Sequence, residues 1–356
     1  MKSLTDNELY MEDVQYVAAL DLPWDLMKDR SLLLSGATGL IGSFLIDVLM
    51  YRNRSCGMNC QIYALGRNLG RAEERFKYCF EDENFKFIKQ DINNSIDLSD
   101  IEGITYVLHL ASNTHPLQYS TAPIDTVMTN IIGTKNMLDI ADEHKAKRML
   151  FASSNEVYGE NRKDTELFDE SYCGYIDSNT LRAGYPESKR CGEALSQAYI
   201  REREMDVVIP RFTRSYGPTM LKNDSKALSQ FINRALEGND IVLKSAGEQY
   251  YSYCYVADAV SGLLTVLLKG ESGNVYNIAD GKSDIRLKDL AKEIAGYVGK
   301  EVVFEIPDQT ESVGYSTATK ARLDGTKLKN LGWEMKYDIR NGIRRTIDIL
   351  KEVDWK

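Results

Sequence analysis

The sequence lacks several features that would assign a protein to a broad class. It has no run of about 18 apolar residues, the length that a membrane-spanning helix needs, so we expect no membrane span. Its 6 cysteines are scattered without a CxxC pair, and its 3 histidines do not stand at metal-ligand spacing. We therefore predict no metal site, and reduced thiols as in a cytoplasmic protein.

Positive charge is also in short supply. Against 53 Asp and Glu there are 44 Lys and Arg, and the net charge of -9 argues against non-specific nucleic-acid binding. The N-terminal stretch MKSLTDNELYMEDVQ is polar and acidic, unlike a secretory signal. With 356 residues, 43% of them hydrophobic, the chain is long enough for one large domain and a smaller one.

A glycine-rich turn is the first positive signal. Residues 31–42 read SLLLSGATGLIG: an apolar run typical of a buried strand, then Gly36, Gly39 and Gly42 at spacing three, then a helical pattern. Such a turn leaves room for a diphosphate, which backbone N–H groups and the helix dipole would bind. The alternative is an ordinary turn between a strand and a helix.

Strands alternate with helices along the first part of the chain, which predicts a parallel sheet covered on both faces. Right-handed crossovers then give a doubly wound, Rossmann-type α/β fold with a smaller C-terminal α/β cap. Strands are predicted at 31–35, 61–65, 85–88, 105–110, 148–152, 207–210, 241–243, 251–256 and 302–306. Helices are predicted at 71–80, 123–141, 185–203, 226–237, 257–268 and 286–298.

We expect three regions along the chain. Residues 1–30 form an N-terminal helical extension, and residues 31–211 form a dinucleotide-binding domain. Residues 212–356 are expected to be mainly a substrate-binding domain, with segments that return to the sheet.

A tyrosine and a lysine four residues apart carry the chemistry. Tyr185 and Lys189 in YPESK lie on one helix face, where an ammonium would lower the pKa of the phenol. The phenolate could then take a proton from a substrate hydroxyl while hydride leaves the same carbon. Ser154 follows the fifth strand and can hydrogen-bond the reacting oxygen. Glu156 could orient water, act as a base, or cap the next turn.

These motifs together resemble the extended short-chain dehydrogenase/reductase family, whose members act on nucleotide-linked sugars. The resemblance rests on the glycine turn, HLAS at 109–112, SSNEVYG at 153–159 and YPESK at 185–189. Within the family, residues 109–138 and SSNEVYG are most similar to UDP-glucuronate decarboxylases and sugar-nucleotide 4,6-dehydratases. The resemblance implies bound NAD or NADP, a nucleotide-diphosphate sugar as substrate, and a homodimer formed through the helices at 123–141 and 185–203.

The resemblance also assigns roles to individual residues. Catalytic roles fall on Ser154, Glu156, Tyr185 and Lys189. Cofactor contacts are expected from Tyr185 and Lys189 and from Gly36, Thr38, Gly39, Leu40, Ile41, Gly42, Arg67, Asp91, Ile92, Leu110, Ala111 and Ser112. Substrate contacts are expected from Ser112, Asn155, Arg182, Arg214, Lys226 and Tyr251. We assign no catalytic role to His109, which the family uses structurally, or to His115.

Departures from the family pattern affect the predicted reaction. Asn155 stands where the dehydratases have an acidic residue, and an amide cannot donate the proton that dehydration needs. Tyr251 stands where many relatives have a phosphate-binding arginine, and Arg214 stands where they often have asparagine. We hypothesise that Arg214 supplies the charge lost at Tyr251. The decarboxylases' C-terminal arginine has no clear counterpart, with Lys320 and Arg322 as candidates.

The choice between NAD and NADP is read from the end of the second strand. Leu65-Gly66-Arg67-Asn68 lacks the carboxylate that usually holds the ribose 2′-hydroxyl of NAD. Arg67, supported by Arg71, could instead meet a 2′-phosphate, so we favour NADP. The alternative is that Arg67 stacks on adenine. Asp91 could accept a hydrogen bond from the adenine amine or serve only in a turn.

We predict an enzyme that oxidises a nucleotide sugar at C4. Decarboxylation ranks first, 4-epimerisation second, and NADPH-dependent reduction of a 4-keto sugar third. A different class of function, a cofactor-binding regulator that has lost activity, is disfavoured by the intact set of Ser154, Tyr185 and Lys189.

Overall fold

The structure, a computed structural model, describes residues 2–114, 116–305 and 319–354. His115 and the end of the strand predicted at 302–306 lie outside the described residues. The main helices are α1 Glu8–Ala18, α2 Leu40–Cys56, α3 Leu69–Arg75, α4 Pro116–Thr121, α5 Pro123–Glu143, α6 Gly184–Arg203, α7 Ala227–Leu236, α8 Val256–Lys269 and α9 Leu287–Val298, followed by Thr326–Lys329 and Ile339–Glu352. The strands are β1 Ser31–Ser35, β2 Gln61–Gly66, β3 Phe85–Lys89, β4 Tyr106–His109, β5 Arg148–Phe151, β6 Ser153–Ser154, β7 Val207–Phe212, β8 Arg214–Tyr216, β9 Ile241–Leu243, β10 Tyr250–Tyr255, β11 Val275–Ile278, β12 Asp284–Arg286, β13 Val302–Phe304 and β14 Lys320–Ala321.

A parallel sheet in the order β3-β2-β1-β4-β5-β7-β11 forms the centre of the molecule, and the short β6 also pairs with β7. The residues of β1 after Ser31 are buried, which explains its nearly continuous apolar sequence. The strand order reverses at β1, which pairs with β2 on one side and β4 on the other. A crevice opens at the carboxyl ends of strands at such a point. The predicted doubly wound α/β class is confirmed.

The chain passes from this sheet to a smaller one within a single residue. Strand β7 ends at Phe212 and β8 begins at Arg214. Strand β8 pairs with β10, which also pairs with β12 and β14. Thr213, the residue between β7 and β8, donates a hydrogen bond of 2.7 Å to the Ser252 carbonyl on β10. The smaller sheet is therefore joined to the end of β7 by main-chain pairing and a buried side chain.

Some segments after residue 212 return to the central sheet. Strand β11 pairs with β7 in parallel register, and the fully buried helix α8 packs against β7. The sequence analysis did not predict β11, the three-residue strands β8 and β12, or the helix Ile339–Glu352. Helix α3 ends at Arg75 rather than near residue 80. The side chains of Phe76 and Cys79 turn into the core, and the Cys79 N–H bonds to the Phe76 carbonyl three residues back instead of continuing the four-residue spacing of an α-helix.

A buried polar cluster connects the N-terminal helix to the helix that follows the glycine turn. The carboxylate of Asp47 on α2 accepts hydrogen bonds from Tyr10 on α1, from Tyr78, and from the Arg75 guanidinium on α3. Arg75 also donates to the Tyr10 hydroxyl at 3.0 Å. Helix α1 packs against α2 at this cluster, so the N-terminal segment stabilises the position of α2.

None of the helices in the described ranges is long and apolar enough to cross a membrane. The same ranges contain no group of three or more His, Cys, Asp or Glu side chains able to hold a metal ion.

The Asp47 cluster generates a stability prediction. Replacing Arg75 by Met leaves the Asp47 carboxylate buried without its cation, and we expect a loss of about 3–5 kcal/mol in the free energy of unfolding. Urea titration followed by circular dichroism measures the change. Lys135→Met, which breaks the exposed pair with Asp139, is the matched control and should cost less than about 1 kcal/mol. Equal losses in the two variants would contradict this role for Asp47 and Arg75.

Candidate active site

A cavity of 740 Å³ lies at the carboxyl ends of the central strands. Each residue that the sequence analysis assigned to catalysis, cofactor or substrate lines this one cavity: Gly36, Thr38, Gly39, Leu40, Ile41, Gly42, Arg67, Asp91, Ile92, Leu110, Ala111, Ser112, Ser154, Asn155, Glu156, Arg182, Tyr185, Lys189, Arg214, Lys226 and Tyr251. The predicted residues therefore share one site, while their individual roles stay predictions.

The glycine turn forms one wall of the cavity. Gly36 has a φ of 75°, and a Cβ there would lie 2.7 Å from the Ala111 nitrogen. A Cβ on Gly42 would collide with the Gly36 carbonyl oxygen. Helix α2 begins directly after Gly39, so its unpaired N–H groups face the turn. A backbone cradle that has no room for side chains fits the diphosphate of NAD or NADP, as the family resemblance implies.

Basic residues surround the end of the cavity beyond β2. Arg67 Nη1 lies 3.9 Å from Asp91 Oδ2, and Asp91 also accepts a 2.9 Å hydrogen bond from the Asn93 N–H. Asp91 therefore does hold a turn. A shallow groove next to the cavity is lined by Arg67, Arg71 and Lys89 together with residues 68–70. Burial lowers the pKa of Arg71, as expected for a cation held partly out of water.

Tyr185 and Lys189 lie on the first turns of α6 and are almost completely buried. Only 6% of Tyr185 is exposed, and burial, followed by the charge of Glu156, raises the pKa of its phenol. The sequence analysis expected the opposite direction, because it weighed the nearby ammonium and not the loss of water. Interactions with the Ser154 and Ser112 hydroxyls and with Arg182 oppose the rise.

The Lys189 side chain is held by a backbone carbonyl directly after β5. Its Nζ donates a 2.8 Å hydrogen bond to the Ala152 carbonyl. Burial lowers the pKa of the Lys189 ammonium to about 7, against a smaller opposing effect of Glu193. A lysine of this kind exchanges protons close to neutral pH, which suits a group placed behind a phenol that must ionise.

A chain of buried hydrogen bonds orients this part of the site. The Ser112 hydroxyl donates to Asn130 Oδ1 at 2.7 Å, Asn130 Nδ2 donates to the Ser188 hydroxyl at 2.8 Å, and Ser188 donates to the Tyr185 carbonyl at 2.8 Å. The chain ties the loop after β4 to helices α5 and α6. Asn130 and Ser188 were missed by sequence reasoning, although Ser188 lies within YPESK, because that motif assigns chemistry to its tyrosine and lysine and not to the residues between them.

Glu156 is held by Arg182, which in turn lies against Tyr119. The two carboxylate oxygens of Glu156 lie 2.7 and 2.6 Å from Arg182 Nη2, so this side chain does not cap the following turn. The Arg182 guanidinium lies 4.8 Å from the Tyr119 ring centre, and Tyr119 stacks on Tyr185 at 4.9 Å. Tyr119 was also missed, because the sequence did not predict the short helix α4 and a single tyrosine there has no pattern that distinguishes it.

The wall opposite the glycine turn carries Arg214 and Tyr251 on the paired strands β8 and β10. The Arg214 guanidinium stacks 3.4 Å above the Tyr251 ring. Its Nη1 is buried and has no hydrogen-bond partner, and no carboxylate of the described residues forms an ion pair with it. Lys226 is different, because its Nζ bonds to Asp224 at 3.1 Å and to Thr114 at 3.3 Å.

The remaining candidates lie elsewhere or serve the framework. His109 is fully buried, with Nδ1 2.8 Å from the Ser35 hydroxyl, and burial lowers its pKa to about 3. It is therefore neutral at ordinary pH and part of the β1–β4 contact. Lys320 and Arg322 both pair with the exposed Glu166 and do not line the cavity, so neither replaces the missing arginine in this structure.

Comparisons with known proteins agree with this geometry. UDP-glucuronic acid decarboxylase 5 of Arabidopsis thaliana is 30% identical over 317 residues, which cover 89% of this chain and 88% of that protein. UDP-glucuronic acid decarboxylase 1 of Xenopus tropicalis is 31% identical over 328 residues, covering 91% of this chain and 73% of that protein.

A solved structure of UDP-glucuronic acid 4-epimerase from Bacillus cereus, in complex with UDP-glucuronic acid and NAD, has the same fold. It superposes with a TM-score of 0.77 at 22% identity, covering 90% of this chain and 99% of that chain. The sequence profile of the NAD dependent epimerase/dehydratase family matches residues 32–279, from the first central strand to the residue after β11. The chain belongs to the NAD dependent epimerase/dehydratase family.

Proposed function

We propose that this protein is a nucleotide-sugar-modifying enzyme that binds NAD or NADP, oxidises a UDP-uronic acid at C4 and removes its C5 carboxylate as carbon dioxide. The observation that carries the proposal is the meeting of Ser154, Glu156, Tyr185 and Lys189 in the cavity that the glycine turn borders. Similarity over about nine-tenths of the chain to UDP-glucuronic acid decarboxylases supports the choice of reaction.

The side chains divide the work of the first step. Tyr185 accepts the proton of the sugar 4-hydroxyl, and the Ser154 hydroxyl donates a hydrogen bond to the same oxygen. The hydroxyls of Ser154 and Ser112 and the charge of Arg182 oppose the rise that burial imposes on the pKa of Tyr185. Residues of the glycine turn would hold NAD or NADP, which would supply a hydride acceptor for C4 and the hydride for its later reduction.

Loss of the carboxylate then follows from the chemistry of a 4-keto sugar. The electron pair of the bond between C5 and the carboxylate moves toward the C4 carbonyl oxygen, where the Ser154 hydroxyl can stabilise the developing charge. Dehydration is disfavoured, because Asn155 offers an amide where a proton donor is needed. Reduction of the 4-keto pentose completes a cycle with no net change in cofactor.

The proposal predicts the products. Incubation with UDP-glucuronic acid should release one carbon dioxide and one UDP-pentose per turnover, without net formation of reduced cofactor. Liquid chromatography with mass spectrometry measures the nucleotides, and absorbance at 340 nm follows the cofactor. Tyr185→Phe, which keeps the ring but removes the proton acceptor, should lower kcat about 10²- to 10⁴-fold.

Other products would contradict the proposal in distinguishable ways. A UDP-uronic acid epimer without carbon dioxide would identify a 4-epimerase. Consumption of one NADPH for each 4-keto sugar reduced would identify a reductase. Turnover unchanged by Tyr185→Phe would exclude the assigned role of Tyr185.

We further propose that Arg214 binds the substrate diphosphate. Its guanidinium is stacked on Tyr251 at the cavity wall, and its buried Nη1–H has no hydrogen-bond partner among the described residues. A half-buried guanidinium that forms no ion pair with those residues favours an anionic ligand, and its geometry matches phosphate oxygens.

Removal of the Arg214 charge should therefore weaken diphosphate binding. Arg214→Gln should raise the Kd of UDP by about 10- to 100-fold, which corresponds to about 1.5–3 kcal/mol for a charged hydrogen bond. Isothermal titration calorimetry measures the change. Binding of uridine, which has no phosphate, is the control and should stay the same. An unaltered Kd for UDP would exclude this role of Arg214.

We also propose that NADP is the preferred cofactor. Arg67, Arg71 and Lys89 border the groove where β2 ends, and β2 ends without a carboxylate in Gly66-Arg67-Asn68. Three cations favour a 2′-phosphate over a 2′-hydroxyl.

A homodimer is proposed as well, since α5 exposes 76% of Ile124 and also exposes Met128 one turn later.

The cofactor preference can be measured by binding alone. NADPH should bind with a lower Kd than NADH, and Arg67→Ala should raise the Kd of NADPH about tenfold or more. Fluorescence titration of the reduced cofactors measures both values. NADH is the internal control, because its affinity should change little. Tighter binding of NADH by the unaltered protein would show that Arg67 does not select a phosphate.

A further inference from the structure

Arg182 offers hydrogen-bond donors that Glu156 does not use. A guanidinium can bind a carboxylate through two nitrogens at once, yet both oxygens of Glu156 bond to Nη2 alone. Arg182 Nε is buried and has no hydrogen-bond partner within the part of the chain that the structure describes. The pair is only partly exposed, with 15% of the Arg182 side chain and 20% of the Glu156 side chain accessible. The ion pair with Glu156 therefore does not use all the donors with which Arg182 can bind a carboxylate.

The guanidinium also has a fixed position relative to the phenol that serves the sugar. Tyr119 lies 4.8 Å from Arg182 and stacks on Tyr185, so the three side chains form one layered unit. The carboxylate of a uronic acid is attached to C5, the carbon next to C4, whose oxygen Tyr185 serves. Lys189, the other cation beside Tyr185, is occupied by the Ala152 carbonyl. Of these two cations, Arg182 is the one placed to meet a carboxylate on the neighbouring carbon.

We propose that Arg182 binds the sugar carboxylate of the substrate and that Glu156 holds this arginine in place until the substrate arrives. The inference rests on the proposed function and deepens it, since it restricts the substrate class to sugars that carry a carboxylate. A neutral sugar cannot displace Glu156, because it brings no charge in exchange for the broken ion pair. The exchange makes Arg182 a determinant of specificity.

The exchange has a consequence for protons. Once the substrate carboxylate has taken Arg182, Glu156 stands in a partly buried site without its cation, which favours uptake of one proton from solvent. When the bond between C5 and the carboxylate breaks, its electron pair moves to the C4 carbonyl oxygen. The proton held at Glu156 can then go to C5, and the ionised Glu156 pairs with Arg182 again. Atoms and charge balance without a further reactant.

Binding measurements on an inactive background test the exchange. We would use the full-length Tyr185→Phe protein saturated with oxidised cofactor, and titrate it with UDP-glucuronic acid and with UDP-glucose. Glu156→Gln should lower the Kd of UDP-glucuronic acid about tenfold, because the competing carboxylate is gone. Arg182→Met should raise that Kd about 10- to 100-fold. The Kd of UDP-glucose, the matched control ligand, should change less than about threefold in both variants.

Calorimetry in two buffers of different ionisation enthalpy adds an independent readout. UDP-glucuronic acid should take up close to one proton per site on binding, UDP-glucose close to none, and Glu156→Gln should abolish the uptake. If Arg182→Met does not fold, Arg182→Lys serves, with a weaker effect in the same direction.

The possible results separate this inference from the proposed function. Equal effects of Glu156→Gln on both sugars, or a weaker affinity for UDP-glucuronic acid in that variant, would overturn the exchange and leave a purely structural ion pair. Binding of both sugars with the same Kd in every variant would also overturn it, while the nucleotide-sugar assignment stands. If neither sugar bound the unaltered protein, the function would be rejected together with the inference.

Discussion

The backbone of Gly36 lies against the end of β4 so closely that no side chain fits between them. The position combines a left-handed φ of 75° with a Cβ site only 2.7 Å from the Ala111 nitrogen. This approach brings the turn after β1, the start of α2 and the loop after β4 to one edge of the sheet. The buried contact between Ser35 and His109 holds the two strands in register just below it. The cavity, and each residue that lines it from the loop after β4, depends on this contact.

Burial, more than the pairing of charges, sets the electrostatics of the site. It raises the pKa of Tyr185 and lowers that of Lys189 to about 7, so each side chain is drawn toward its neutral form. In the proposed mechanism, Tyr185 must therefore lose its own proton before it can accept one from a sugar hydroxyl. The ion pair of Glu156 with Arg182 lines the same cavity as Arg214, which forms no ion pair with the described residues.

Long periodic segments and chemical motifs were readable from the sequence, whereas short and non-local features were not. Strand β1, the glycine turn and helix α6 combine strong local patterns with motif residues, and the sequence placed them within a residue or two. Strands β8 and β12 have three residues each and form because they pair with β10. No local sequence pattern predicts them.

The helix Ile339–Glu352 is a different case, because its signal was present. Asp338 caps its N-terminus, and Ile339, Ile343 and Ile347 repeat at helical spacing. Within the site, the side chains found from sequence belong to motifs with a known chemical logic. The stacking of Tyr119 on Tyr185 depends on how α4 and α6 come together in space, which sequence spacing cannot express. The predicted direction of the Tyr185 pKa shift was wrong for the same reason, because the shift depends on how deeply the phenol is buried.

The single-residue junction at Thr213 has a mechanical consequence. Strand β7 belongs to the sheet that carries the glycine turn, and β8 belongs to the sheet that carries Arg214 over Tyr251. With the Thr213 hydroxyl bonded to the Ser252 carbonyl, no flexible linker separates these two sheets along this stretch of backbone. The width of the cavity at this edge is therefore set by the short connection between the two sheets. The fold itself then determines the spacing between a dinucleotide and a sugar nucleotide.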